Sequence, residues 1–385
     1  VEQNIAGFVA SRNPRRRGHP FLSSGINLGS IAAMNRHSPN ESKVDFWSGQ
    51  QIAQWADHIF DGAAGDPGLP AGALAEMIDS CGLAFKELTS FEGNASVGVV
   101  FDPLARIDHP GRATVRVSSL LRILEQQGLS SDLDAIAQRV RDDTRRDLRV
   151  VREPLGFVEL LFRDKCVSGI RLHWVGNARD EWILPSGAIE SQPSDSVSAT
   201  LLHDVVVSAC RLPPDQTRFA DLAQAMESEG CLLDSISVML DGDEIGLPKC
   251  HFVSSAGNAE ELLRSSFEAI GRESARDFAL TIAALIMSQP DAVVEHAAVT
   301  LGSMNTVEVC VGLDAITDHD EVVKFVLQMC WAFGRPELEE RIRRLGQQLK
   351  DTGGRFARIG FELATIGRPF VTFNLRPAGA NASQV

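Results

Sequence analysis

The chain has 385 residues, enough for two ordinary domains or one large repetitive one. With 44% hydrophobic residues, 23% charged residues and a net charge of −14, it reads as an ordinary globular protein with an acidic exterior, which excludes a general nucleic-acid binder but not a basic pocket for a small anion. No apolar run approaches a membrane span and no clear signal-peptide stretch is present. The seven cysteines carry no CxxC spacing, so the expectation is a cytoplasmic protein without a disulfide framework or zinc ribbon.

Residues 1–42 have little periodicity, contain Arg15-Arg16-Arg17, and are expected to be a flexible tail or arm. From residue 43 a single domain is expected to run to residue 377, followed by a short tail over 378–385. Phe46–Phe60 and Ala71–Cys81 show helical periodicity; Phe85–Phe91 and Ser96–Phe101 read as a strand pair about Gly93-Asn94. Helices are expected over Val115–Gln127 and Leu133–Leu148, then a hairpin of Phe157–Arg163 and Val167–Val175. Ser194–Cys210 and Phe219–Glu229 read as helices, and Leu233–Leu240 with Ile245–Val253 as a hairpin about Asp241-Gly242-Asp243-Glu244. The order recurs with helices Ala259–Gly271 and Ala275–Met287 and strands Ala297–Leu301 and Thr306–Leu313. It recurs again with helices Glu321–Phe333 and Pro336–Lys350 and strands Phe356–Leu363 and Phe370–Leu375.

Two helices and a hairpin, five times over, give an α+β chain with ten antiparallel strands. Amphipathic helices between hairpins suit a closed barrel with the helices outside, wide enough to hold a ligand. An open α+β sheet is the plainer alternative, and it leaves two long edges to protect.

Residues two apart on a strand share a face. Lys249 and His251 therefore point one way, and so do Arg171 and His173. A cation-x-His pattern on the second strands of two hairpins would turn all four into one lumen, where buried charge needs a reason. Solvated edge strands would carry the same pattern without any function. Glu308 and Cys310 share a face on a further second strand, where Glu308 either balances lumen charge or meets water. Phe85, Phe91 and Phe373 are candidate wall residues for a planar ligand.

The ααββ order, with Val99-Val100-Phe101-Asp102-Pro103-Leu104, Ile170-Arg171-Leu172-His173, Leu247-Pro248-Lys249-Cys250-His251 and Arg368-Pro369-Phe370-Val371-Thr372-Phe373-Asn374-Leu375, resembles the ABBA-fold aromatic prenyltransferases of the dimethylallyltryptophan synthase type. The resemblance implies a prenyltransferase (PT) barrel of five ααββ repeats. It also implies transfer of a prenyl group from an allylic diphosphate to an indole or other electron-rich aromatic small molecule in natural-product biosynthesis. Strand cations would hold the diphosphate, which points to Lys249 and Arg171 with Asn374 on the closing strand. No metal site is expected, and no cofactor is required, with Mg²⁺ at most stimulatory. The expected partners are the two small-molecule substrates, with the protein a monomer or homodimer.

The sequence departs from the family pattern. Tyrosine is absent, so no tyrosine shield can cover an allylic cation; His173, His251 and Cys310 stand at those positions. Gly98 and Leu247 stand where the family has Arg, leaving Arg163 or Arg358 as replacements. The resemblance makes Glu87 the base for the indole proton, with a pKa expected to be raised by burial, and Glu92 is its rival. Prenyl transfer, altered chemistry such as cyclisation or rearrangement in the same barrel, and non-catalytic small-molecule binding all remain open at this point.

Overall fold

The structure is a computed structural model. It describes residues 47–60, 69–81, 83–92, 96–102, 119–120, 122–123, 126, 155–164, 166–175, 182–183, 189–190, 219–241, 244–254, 259–269, 275–300, 305–363 and 368–377. The expected terminal arm over 1–42, the tail over 378–385 and the helix expected over Ser194–Cys210 lie outside these residues. So does most of the helix pair expected over 115–148.

Strands alternate a buried apolar side chain with a polar one, and this sorts them between two faces. On Thr306–Gly312 the valines 307, 309 and 311 are wholly buried toward the helices, and Thr306, Glu308 and Cys310 point to the opposite face. Ten such strands form the barrel: β1 (Ala84–Phe91), β2 (Val97–Asp102), β3 (Leu155–Arg163), β4 (Cys166–Val175), β5 (Cys231–Asp241), β6 (Lys249–Ser254), β7 (Val293–Thr300), β8 (Thr306–Gly312), β9 (Arg355–Leu363) and β10 (Phe370–Arg376). All neighbours are antiparallel. The sheet runs on through β10 against β1 (Asn374 opposite Thr89) and closes through β4 on β5 (His173 opposite Ser237). Closure leaves no barrel edge, which settles the choice against an open sheet. A short segment, Glu244–Ile245, pairs with β5, and Trp182–Ile183 pairs with Ile189–Glu190 outside the barrel.

The described helices α1 (Gly49–Phe60), α2 (Ala71–Cys81), α3 (Phe219–Ser228), α4 (Ala259–Ala269), α5 (Ala275–Ser288), α6 (His319–Ala332) and α7 (Glu339–Thr352) supply the outer layer. In α1 the stripe Ile52, Trp55, Ala56, Ile59 and Phe60 is buried. The helix begins at a reciprocal cap: the Gln51 amide donates to Ser48 Oγ, while the Ser48 amide donates to Gln51 Oε1. α7 ends where Gly353 takes φ +70°, a left-handed cap that closes onto Leu349 and Lys350. The apolar core lies between the barrel wall and these helices, and polar side chains are left to the lumen. Among the described residues no helix is long and apolar enough to cross a membrane.

Among the register shifts in the barrel, two bear on the lumen. The register shifts between Phe85 and Glu87 on β1, and between Val294 and His296 on β7. At each, two successive side chains, Lys86 with Glu87 and Glu295 with His296, meet groups of the lumen.

Candidate active site

The four residues of the cation-x-His pattern do meet inside the barrel. The His173 and His251 rings lie 5.7 Å apart, and His251 lies 5.0 Å from His296. Phe157 continues the row at 6.5 Å from His173. Ser237 Oγ shares a hydrogen bond of 2.9 Å with His251 Nε2. Burial is the main cause that depresses the pKa of all three imidazoles, taking His296 to about 4, so the row is uncharged near neutrality.

The cations are not free. Arg171 Nη1 donates to Glu159 Oε2 at 2.7 Å, directly across the β3–β4 pair, and lies over the Phe91 ring. Lys249 Nζ donates to Glu308 at 2.8 Å and Glu362 at 2.9 Å. Burial opposes the Lys249 charge, but the two carboxylates outweigh it and raise its pKa; Lys249 in return holds Glu308 below the usual carboxylate range.

A second cluster surrounds Glu87. Arg376 Nε donates to it at 3.2 Å and the Arg376 Nη2 lies in ion-pair range at 3.1 Å, Asn374 Nδ2 donates at 3.0 Å, and Arg358 lies 3.5 Å away. Arg358 also pairs with Glu295 at 2.8 Å, and Arg376 with Asp314. The expected raised pKa is therefore corrected. Burial does push Glu87 up, but Arg358, Arg376 and Lys86 overcome it and hold the carboxyl at about 2. Glu92 points the other way: it meets Arg341 of α7 at 2.9 Å and Ser90 Oγ at 3.3 Å, in the layer between barrel and helices. Of the two carboxylates, Glu87 is the one aimed at the lumen.

Three glycines make room for the lumen acids. A Cβ on Gly98 would stand 2.1 Å from Glu159 Oε1, one on Gly312 2.4 Å from Glu295 Oε1, and one on Gly360 2.9 Å from Glu308 Oε1. Gly98, at the position of the missing Arg, is thus filled from across the sheet by a carboxylate. Glu159 Oε1 has no hydrogen-bond partner among the described residues.

Two other wall candidates are corrected. Phe373 is fully buried against Phe356 in the outer core, because its neighbour Asn374 takes the inward position. Phe85 meets Trp55 of α1 edge-on, on the far side of the bulge. Arg163 reaches Ser96 at 3.3 Å, and Arg358 is committed to carboxylates. Sequence reasoning missed Lys86, Glu159, Glu295, His296, Glu362 and Arg376. Cys310 sits beside Glu295 and His296, their ligand-type atoms within 4.8 Å of one another. A thiolate, imidazole and carboxylate are zinc ligand types. Here, however, Glu295 is held by Arg358, and burial, with Glu295 next, keeps the Cys310 thiol protonated well above its ordinary pKa.

The sequence matches no protein-family model and no curated protein. Solved structures do match. 6-Dimethylallyltryptophan synthase from Micromonospora olivasterospora, in complex with DMASPP and Trp, superposes with a TM-score of 0.52 at 14% identity, over 87% of this chain and 98% of that one. A further 6-dimethylallyl tryptophan synthase gives 0.56 at 14% identity over 87% and 97%. The fold is the prenyltransferase barrel. AnaPT from Neosartorya fischeri matches the same barrel at 0.51 and 12% identity, over 77% of this chain and 78% of its own. This PT barrel keeps the neighbours' frame and fills its lumen with a different set of side chains from those the family pattern led us to expect.

Proposed function

We propose that this protein is an aromatic prenyltransferase, moving a prenyl group from an allylic diphosphate to an indole or other electron-rich aromatic small molecule in secondary metabolism, without a required metal. The observation that carries the reading is the convergence of Arg171 and Lys249, with the uncharged His173–His251–His296 row, in the lumen of a barrel shared with enzymes named for dimethylallyl transfer to tryptophan.

In this reading the leaving diphosphate takes Lys249 as a point charge and Arg171 as a fork, displacing Glu308 and Glu159. The neutral imidazoles present π faces to the allylic cation where a tyrosine shield would otherwise stand. Glu87, ionised at any working pH, accepts a hydrogen bond from the acceptor's N–H and orients it. A carboxyl group of such low pKa is a poor general base, so its role is positioning, and the proton lost by the substituted acceptor passes to the released diphosphate.

One observation favours a second reading, in which the barrel performs acid–base chemistry on an aromatic or isoprenoid substrate with no diphosphate. The lumen carboxylates already neutralise Arg171 and Lys249. Incubation with a panel of prenyl diphosphates and aromatic acceptors, read by mass spectrometry, decides between them. Prenylated product supports the first reading. No product, together with no binding of inorganic diphosphate, overturns it.

A further inference from the structure

Lys86 differs from the other cations of the lumen. Arg171, Lys249, Arg358 and Arg376 each pair with a carboxylate, whereas Lys86 makes no ion pair or hydrogen bond with any described residue. Its Nζ stands 3.8 Å from the centroid of the Phe157 ring. The β1 bulge is what turns it inward, since strict alternation from Glu87 would send it to the helices.

The groups that act on Lys86 come from all round the barrel. Arg358 and Arg376 disfavour its charge, Glu87 and Asp102 favour it, and its own field reaches His173, Asp234 and His296. An amine that is desolvated and set beside other cations is the environment that activates lysine as a nucleophile. Burial first, then Arg358, lowers its pKa to about 8, so a minor share, far larger than for an ordinary lysine, is free amine near neutrality. Lys249, in the same lumen, is held as ammonium by two carboxylates.

We infer that Lys86 is a nucleophilic amine that captures an aromatic or other apolar aldehyde or ketone in the lumen as an imine. The Nζ lone pair attacks the carbonyl carbon, a C–N bond forms, and the oxygen takes a proton to give a carbinolamine. That oxygen leaves as water while the C=N bond forms. Amine and carbonyl thus become imine and water, with no change of oxidation state. The uncharged His173 and His296 are the proton carriers nearest in chemistry to that dehydration, and the Phe157 face is the surface on which an aromatic aldehyde would stack.

The chain has only six lysines, which makes the test direct. The protein is incubated with benzaldehyde and sodium cyanoborohydride at pH 7.5, and the benzyl adducts are mapped by peptide mass spectrometry. Among the lysines, Lys86 is expected to react first, at least about tenfold faster than exposed Lys350, from the larger free-amine fraction, with the α-amine scored separately on its own peptide. Its rate should rise with a midpoint near pH 8, and Lys86→Arg, checked for fold by circular dichroism, should lose the fast phase. Labelling of surface lysines with Lys86 untouched, or a fast phase on lysine peptides that survives in Lys86→Arg, would overturn the inference. The wild-type peptide map decides the matter even if the variant fails to fold. No prenyl diphosphate enters the assay, so its outcome is independent of prenyl transfer.

Discussion

Lys249 and Glu308 form an ion pair of 2.8 Å inside the barrel, and Glu362 shares the same ammonium at 2.9 Å. One cation therefore faces two carboxylates, and Thr306 Oγ1 donates to the outer one at 2.9 Å. An anionic ligand has to displace a carboxylate before it can reach Lys249. That exchange sets the behaviour of any variant at this position.

Lys249→Ala leaves two partly buried carboxylates without their cation. Breaking one side of a fully buried pair costs about 3–5 kcal/mol, and the partial exposure of both acids reduces that cost, so the variant should unfold at lower urea. If the protein transfers a prenyl group, turnover should also fall at least about tenfold, the effect of one lost charge-assisted hydrogen bond in the transition state. Adding Glu308→Gln should restore much of the stability but not the turnover. The measurements are urea melts and single-turnover rates for both variants. Recovery of both by the double variant would mean that Lys249 only balances charge. Cys250→Ala, on the apolar face of the same strand, should affect stability alone.

Acid should weaken the fold in two stages. Neutral His296, facing the lumen, has its pKa depressed from 6.5 to about 4, and His173 and His251 are depressed as well. The unfolded chain binds protons that the folded one refuses, so stability falls as pH drops below about 6.5 and goes on falling toward 4. Glu87, depressed from 4.5 to about 2, adds a second loss as pH falls from 4.5 toward 2. Unfolding free energies at pH 7.5, 5.5 and 4.5 should decline steadily. His296→Gln should make the decline above pH 4.5 shallower and leave the lower stage in place. A stability independent of pH between 7 and 5 would contradict the neutral imidazole row.

If lumen cations alone meet the leaving group, prenyl transfer should persist in excess EDTA at an undiminished rate. The check is the initial rate with EDTA and after Mg²⁺ is added back. Abolition by EDTA and rescue by Mg²⁺ would move the diphosphate site away from Lys249 and Arg171.

Element order and strand parity carried much of the architecture. The fivefold order is enough to expect ten strands, and the shared faces of Arg171 with His173 and Lys249 with His251 place those side chains correctly in one lumen. Parity fails at bulges, which is why Lys86 and Glu295 stayed hidden. Strand ends hid two more residues: strands drawn to Leu375 and from Ala297 stop one residue short of Arg376 and His296. The partners of Glu87 were illegible for a different reason. Arg376 lies 289 residues away in sequence, and only barrel closure brings it to the carboxylate. Parity also gave the outward side chain of Phe373 once Asn374 was placed inward, although the sequence reading had made both of them lumen candidates.

Gly98 tests whether a missing side chain is part of this site's design. A Cβ there would lie 2.1 Å from Glu159 Oε1, 2.9 Å from Cδ and 3.1 Å from Cγ, so the whole end of the acid would have to move. Glu159 is pinned by Arg171 at 2.7 Å, so moving it breaks the pair. Gly98→Ala should therefore cost about 1–3 kcal/mol, the usual range for overpacking a filled interior. In a Glu159→Ala background the clash is gone, and the same substitution should be nearly neutral. The two changes should then couple by at least about 1 kcal/mol in a double-mutant cycle measured by urea unfolding. The double variant also leaves Arg171 without its carboxylate, in the place where the family pattern has a second cation. It should bind inorganic diphosphate more tightly than the parent, by about tenfold for one charge-assisted contact. Additive stabilities would show that the glycine does not make room for Glu159. Unchanged diphosphate affinity would show that Arg171, even when freed, does not face the anion.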